Sequence, residues 1–178
     1  MIGTLGATAV SITLDTYSHA IPAMQERAAT AKPAAETVRR LRMDESKTIA
    51  EVKKAADSLL AAFGEHRTDD YFQAFDPEAT FVFWSSPEML DSRAAFRERW
   101  ERLMREEGFR VLECVSSDQR VQPFGDVAVF THSVKTRQRT NAGEETLLER
   151  ETIVFSRQAD GSWLAVHEHL SPDPNGEE

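Results

Sequence analysis

Cys114 is the only cysteine in this 178-residue chain, so an internal disulfide and a cysteine-built zinc site within one chain are both excluded. That residue is read as a core or strand side chain. No stretch approaches the roughly 20 apolar residues that a membrane-spanning helix needs, and no membrane association is expected. The most apolar early segment, Ile2 to Leu14, lacks the basic flank and small-residue cleavage site of a secretory signal, which leaves a cytoplasmic location as the expectation. Basic residues are outnumbered 21 to 30, the net charge is −9, and no basic cluster is long enough to track phosphates. Nucleic acid is therefore not an expected partner. What remains is ordinary: 40% apolar and 29% charged residues, a globular composition at a length that suits one domain.

The composition is uneven along the chain. Of the 10 Phe, 3 Trp and 2 Tyr, only Tyr17 precedes Phe63, so the large core side chains belong to the later part. Residues 1–42 carry a net charge of +2 and residues 43–178 carry −11. A mildly basic leader rich in Ala and Thr thus precedes an acidic domain, with the boundary expected at Met43 and a disordered tail over 174–178.

From Glu45 to His66 the apolar positions Ile49, Val52, Ala56, Leu59, Leu60 and Phe63 recur at three- and four-residue steps, which predicts an amphipathic helix with one buried stripe. Thr68-Asp69-Asp70 caps a short second helix carrying Tyr71, Phe72 and Phe75, which Asp76-Pro77 ends. Thr80 to Trp84 is a compact β-prone run. Asp91 or Ser92 caps a third helix with Ala95, Phe96, Trp100, Leu103 and Met104 on one face, ending at Gly108. The helical period then disappears. Phe109 to Val121, Asp126 to Arg139, Glu145 to Arg157 and Trp163 to Leu170 read as four strands joined by short turns. The expected architecture is α+β, a curved and mostly antiparallel sheet wrapped around three helices.

This element order, with Asp76-Pro-Glu-Ala-Thr-Phe-Val-Phe83 and the closing Asp160-Gly-Ser-Trp-Leu-Ala-Val-His-Glu-His-Leu-Ser171, resembles the nuclear transport factor 2-like superfamily over residues 45–173, and within it the SnoaL-like proteins. The resemblance implies a cone-shaped half-barrel, often dimeric, with a pocket between sheet and helices. It does not fix an activity, because the superfamily includes ketosteroid isomerase, polyketide cyclases, epoxide hydrolases and non-catalytic association domains. The aspartate base of ketosteroid isomerase falls at Phe83 here, and phenylalanine cannot abstract a proton. The isomerase's second acid falls at or beside Glu151. A pocket carboxyl without that base makes steroid isomerisation itself an unexpected activity.

Strand alternation puts Glu149, Glu151, Ile153 and Phe155 on one face of the penultimate strand. In the last strand Trp163, Ala165, His167 and His169 alternate with Leu164, Val166, Glu168 and Leu170. By resemblance, Glu151, Ile153, Val166, Glu168 and Leu170 look toward the helices. Glu151 and Glu168 would then enter a pocket walled by Tyr71, Phe83, Trp84, Phe96 and Trp100, where burial raises carboxyl pKa values and prepares them for acid or base work. Pairing of either carboxylate with Arg110, Arg139 or Arg150 stays open. His132 is a further candidate for acid/base work; with His167 and His169 it could also form a ligand cluster, although no metal or cofactor is expected and a structural or interface role is favoured for the last two. The expected function is a homodimeric small-molecule-binding domain that sequesters or acts on a modest apolar ligand, with acid/base chemistry of the isomerase, cyclase or hydrolase type if it is an enzyme. The alternative is a non-catalytic association module.

Leu5-Gly-Ala-Thr-Ala-Val-Ser-Ile-Thr-Leu-Asp-Thr-Tyr-Ser-His-Ala to Ala29 resembles the C-terminal segment of a phage-integrase-type tyrosine recombinase, with Tyr17 at the nucleophile's position. The activating arginines, lysine and histidine of that family lie upstream of this segment, and Ala7 replaces one of its histidines. A lone tyrosine with a pKa near 10 is a poor nucleophile, so residues 1–42 are expected to be a remnant from a mobile-element neighbourhood without recombinase chemistry.

Overall fold

A computed structural model describes residues 11–174 and 176, with side chains from residue 36 to the same end. The chain divides into two compact units, Met1–Glu45 and Ser46–Glu178. The first unit is helical from Ser11, where α1 (Ser11–Gly64) begins. Helix therefore starts well before Glu45, the point at which a buried stripe becomes readable in the sequence. Residues 5–10 of the integrase-like stretch, the Tyr17 side chain, and tail residues 175, 177 and 178 lie outside what is described.

In the second unit, the end of α1 buries Val52, Ala56, Leu59 and Ala62. Next come α2 (Thr68–Gln73), β1 (Phe75–Phe83), α3 (Arg93–Arg102) and one π-helical turn (Leu103–Glu107). Strands β2 (Arg110–Phe124), β3 (Val127–Thr140), β4 (Gly143–Arg157) and β5 (Trp163–Pro172) complete it. The sheet order is β1-β5-β4-β3-β2. Successive hairpins make the β2-to-β5 meander antiparallel, while β1 joins β5 in parallel, as strands separated by a long crossover can. This is the expected α+β half-barrel: a curved, unclosed sheet with its inner face on the helices.

Two local details differ from the periodicity reading. Phe75 opens β1 instead of continuing α2, and Ala165 N–H donates to the Ala74 carbonyl at the join. Pro77 is tolerated inside β1 because β1 is an edge strand and its register shifts between Phe75 and Thr80. At α3, Ser92 is the one of the two expected caps that is used, its hydroxyl accepting from Ala95 N–H at 3.2 Å, and the helix end widens into the π turn before Gly108. The core gathers Phe72, Phe75, Phe81, Phe96, Phe130, Phe155 and Ile153 between helices and sheet, with Phe81 and Phe96 centroids 4.5 Å apart.

Candidate functional site

A cavity of about 450 Å³ opens between the inner sheet face and the helices. Its apolar wall comes from Phe63, Tyr71, Phe83, Phe96, Trp100 and Leu170, contributed by α1, α2, β1, α3 and β5. These rings interlock: Tyr71 lies 5.4 Å from Phe63 and 5.5 Å from Trp100, and Phe83 lies 5.0 Å from Phe96. The Trp100 indole N–H is buried and has no hydrogen-bond partner among the described residues. Trp84 also lines the cavity but is 51% exposed, and its indole donates to Glu149 Oε1 at 2.6 Å.

The polar end is acidic. Glu149, Glu151 and Glu168 are buried and all line the cavity. Register explains why they meet. On β4, residues 149 and 151 are two apart and share the inner face; Ile153 pairs with Glu168 and Glu151 pairs with Leu170, so Glu151 and Glu168 are diagonal neighbours across β4 and β5. The Glu168 carboxyl is hydrogen-bonded to Glu151, and Tyr71 donates its hydroxyl to Glu168 Oε2 at 3.2 Å. Glu151 Oε2 also contacts His132 Nε2, placed opposite it on β3. On the far side of the imidazole, Nδ1 lies 2.9 Å from Ser116 Oγ on β2.

Burial without a cationic partner decides the protonation. Glu168 is pushed well above the ordinary carboxyl range, first by desolvation, then by the charge of Glu151 and by its hydrogen bond to that residue. Burial therefore favours the protonated form of Glu168, beside Glu151. Glu149 is raised by burial and by the charges of Glu151 and Glu145, with the Trp84 hydrogen bond opposing. Tyr71 is raised well above its usual value by burial and by Glu168, which keeps the phenol a donor. A proton donor and a carboxylate acceptor side by side in an apolar cavity can move a proton to and from a bound molecule.

The structure brings Tyr71, Phe83, Trp84, Phe96, Trp100, Leu170, Glu151 and Glu168 to one cavity. Ile153 and Val166 are not among its walls. Ile153 is fully buried in the core beneath the acidic end, and Val166 falls at a register irregularity opposite Val154 and Phe155. That irregularity resets the strand phase: Trp163 and Ala165 are buried before it, and Glu168 after it, so a strict alternation through Val166 fails. His132 reaches the cavity only through Glu151. The three histidines do not assemble into a cluster: His132 faces inward, whereas His167 pairs with Thr80, its Nδ1 2.8 Å from the Thr80 hydroxyl, and His169 is exposed 6.5 Å from His167. Arg110, Arg139 and Arg150 pair with neither buried carboxyl among the described residues, so the proposed arginine partners give way to His132 and Tyr71. Glu149, Val134 and Thr136 also line the site, and the same two-residue period that marks Glu151 would have found Glu149.

Comparisons with known proteins agree with this architecture. Residues 52–174 match the family model described as a SnoaL-like domain. No curated protein matches the chain. Among solved structures, a ketosteroid isomerase-like protein from Erwinia carotovora atroseptica is 17% identical with a TM-score of 0.59, covering 70% of this chain and 95% of that one. An NTF2-like protein of unknown function from Pseudomonas putida is 17% identical with a TM-score of 0.58, covering 75% and 93%. The CaMKII hub of S. rosetta is 24% identical with a TM-score of 0.58, covering 70% and 96%. At these identities the likeness concerns the fold.

Proposed function

From the premise that the chain belongs to the SnoaL-like domain family, we propose that it binds a small apolar, oxygen-bearing molecule and carries out proton transfer on it with Glu151 and Glu168. The observation that carries this reading is the hydrogen-bonded carboxyl pair in an aromatic cavity of about 450 Å³. In this reading Glu168 and the Tyr71 hydroxyl donate toward an oxygen of the ligand, and Glu151 receives a proton from it. His132 holds Glu151 in place. Tyr71, Phe83, Trp84, Phe96, Trp100 and Leu170 grip the apolar body, and the unpaired Trp100 N–H supports an occupant that carries an acceptor. The cavity size suits a mono- or bicyclic ligand better than a long chain.

Deuterium uptake by simple cyclic ketones such as cyclohexanone, followed by NMR in D₂O with the full chain, tests the reading. Exchange next to the carbonyl is expected with the unaltered protein and its loss with Glu151→Gln and Glu168→Gln. Failure of the ketones to exchange, together with no thermal stabilisation by them, would remove the acid/base assignment.

A second reading has its own observation. Val115 and Phe124 on β2 and Val127 on β3 are 50%, 64% and 40% exposed, and the similar structure from S. rosetta is described as a CaMKII hub. Self-association through this sheet face, as a homodimer, is proposed alongside ligand binding. Light scattering on Phe124→Lys would detect it as loss of the dimer mass.

A further inference from the structure

The acidic end of the cavity continues outward. From Glu151 the contacts run to His132 Nε2, from His132 Nδ1 to Ser116 Oγ at 2.9 Å, and from Ser116 Oγ to Gln119 Nε2, which donates to it at 2.9 Å. Gln119 Oε1 accepts from Lys53 Nζ on α1, an exposed ammonium. Gln119 stands over Ser116 because β2 bulges there: the register with β3 shifts between Ser117 and Arg120, and Asp118 takes a left-handed φ of 52°. Ser116 and Gln119 also line a solvent-facing groove of about 430 Å³ between α1 and β2, with Asp57, Gly64, Glu65 and Glu113. Cys114 lines both this groove and the inner cavity, so the β2 backbone is the thin partition between them.

We propose that His132 and Ser116 form a proton conduit through this partition, joining the buried Glu151–Glu168 pair to water in the outer groove. The inference rests on the acid/base reading above and adds the route by which the pair exchanges its proton with water, in place of the aromatic-lined cavity mouth. The conduit requires one arrangement of hydrogens at rest. Glu168 donates to Glu151, His132 Nε2–H donates to the Glu151 carboxylate, and the Ser116 hydroxyl donates to Nδ1 while its oxygen accepts from Gln119. When Glu168 has given its proton to a ligand, both carboxyls are anionic. A groove water then gives a proton to the Ser116 oxygen and leaves as hydroxide into the solvent, the Ser116 hydroxyl proton moves to Nδ1, and the Nε2 proton moves to Glu151. One proton has entered, Ser116 is again a hydroxyl, the imidazole is neutral in its other tautomer, and the pair again holds one proton. Return of the ligand's proton drives the same steps backward and restores the first tautomer. His132 and Ser116 act through Glu151 and are relay and positioning residues.

Infrared spectroscopy of the full chain after rapid mixing into D₂O tests this without a ligand, by following the C=O stretch of the protonated carboxyl, assigned by its loss in Glu168→Gln. Ser116→Ala is expected to slow the isotope shift of that band by at least about tenfold, and Ser116→Thr, which keeps a hydroxyl, to restore it to within about twofold. A merely structural role for Ser116 would leave the exchange rate unchanged in Ser116→Ala. That outcome, with the band present, overturns the conduit and leaves the acid/base pair standing. Absence of the protonated-carboxyl band from the unaltered protein would overturn the pair itself, and the conduit with it.

Discussion

The hydroxyl of Tyr71 on α2 donates to Oε2 of Glu168 on β5 across 3.2 Å, joining positions 97 residues apart in the chain. That bond uses one oxygen of a carboxyl that is also hydrogen-bonded to Glu151, so both partners of Glu168 at the base of the cavity are set by packed elements. The arrangement has a cost in folding. A protonated acid held in an apolar site ionises freely once the chain unfolds.

The sign of the resulting pH dependence follows from Glu168. Its pKa is raised in the folded state by burial and by Glu151, whereas in the unfolded chain it returns to about 4.3. Between those two values the folded state binds more protons than the unfolded one, so stability falls as pH rises through the window. The contribution is most favourable below the unfolded pKa and is lost progressively up to the folded one. Glu149, raised for the same first reason, acts with the same sign. Glu168→Gln keeps the shape and removes the titration. It should be more stable than the unaltered protein at pH 8, with the gap narrowing toward pH 5, each unit of separation being worth about 1.4 kcal/mol. Urea unfolding at a series of pH values reads this directly. A constant gap across the series would show that Glu168 is not the titrating group.

Cys114 is held in the same environment. Burial, then the charge of Glu151, pushes its thiol up to about 12, against 9.0 for the free group. Three units leave about a thousandfold less thiolate at neutral pH, and the thiolate is the reactive form. A disulfide-exchange reagent at pH 8 should label the folded protein slowly and the urea-unfolded protein fast. The single cysteine makes the reading unambiguous. Equal rates in the two states would mean that the thiol is not enclosed between cavity and groove.

Strand alternation accounts for how much of the site was readable. Wherever a strand keeps a strict two-residue period, as β4 does from Glu149 to Phe155, inward residues are assigned from the letters alone. The acidic row is visible for that reason. Legibility ends where the backbone departs from the period: the β5 irregularity at Val166 moves that side chain off the site, and the β2 bulge at Asp118 turns Gln119 toward Ser116. Neither has a signature such as glycine, so no composition rule marks it. Partner choice was equally hidden. Arginine was the reasonable counter-charge for Glu151 by type, yet His132 is its cross-strand neighbour by register, and register is a property of the whole sheet. The helices were readable from their apolar stripes, except that α1 has no such stripe to announce its start at Ser11.

Gly108 is a point where a departure from regular structure does have a signature, and it carries the last prediction. It ends the π turn after α3 with φ of 65°, a conformation that costs a residue with a Cβ about 1 to 2 kcal/mol. A Cβ at this position would also lie 2.6 Å from Asn141 Oδ1. Asn141 is the latch between this helix end and the β3–β4 turn: its side-chain amide donates to the Glu106 carbonyl at 3.2 Å, and its backbone N–H donates to the Glu107 carbonyl at 2.7 Å. Glu107 and Phe109, on either side of the glycine, line the cavity. Gly108→Ala should therefore destabilise the protein by about 2 to 3 kcal/mol, the left-handed strain and the broken latch together. The two terms separate in a double-mutant cycle with Asn141→Ala, read by urea unfolding. If the clash is real, Gly108→Ala costs less on the Asn141→Ala background, and what remains is the backbone strain. Equal costs on both backgrounds would leave backbone strain as the whole effect of the alanine.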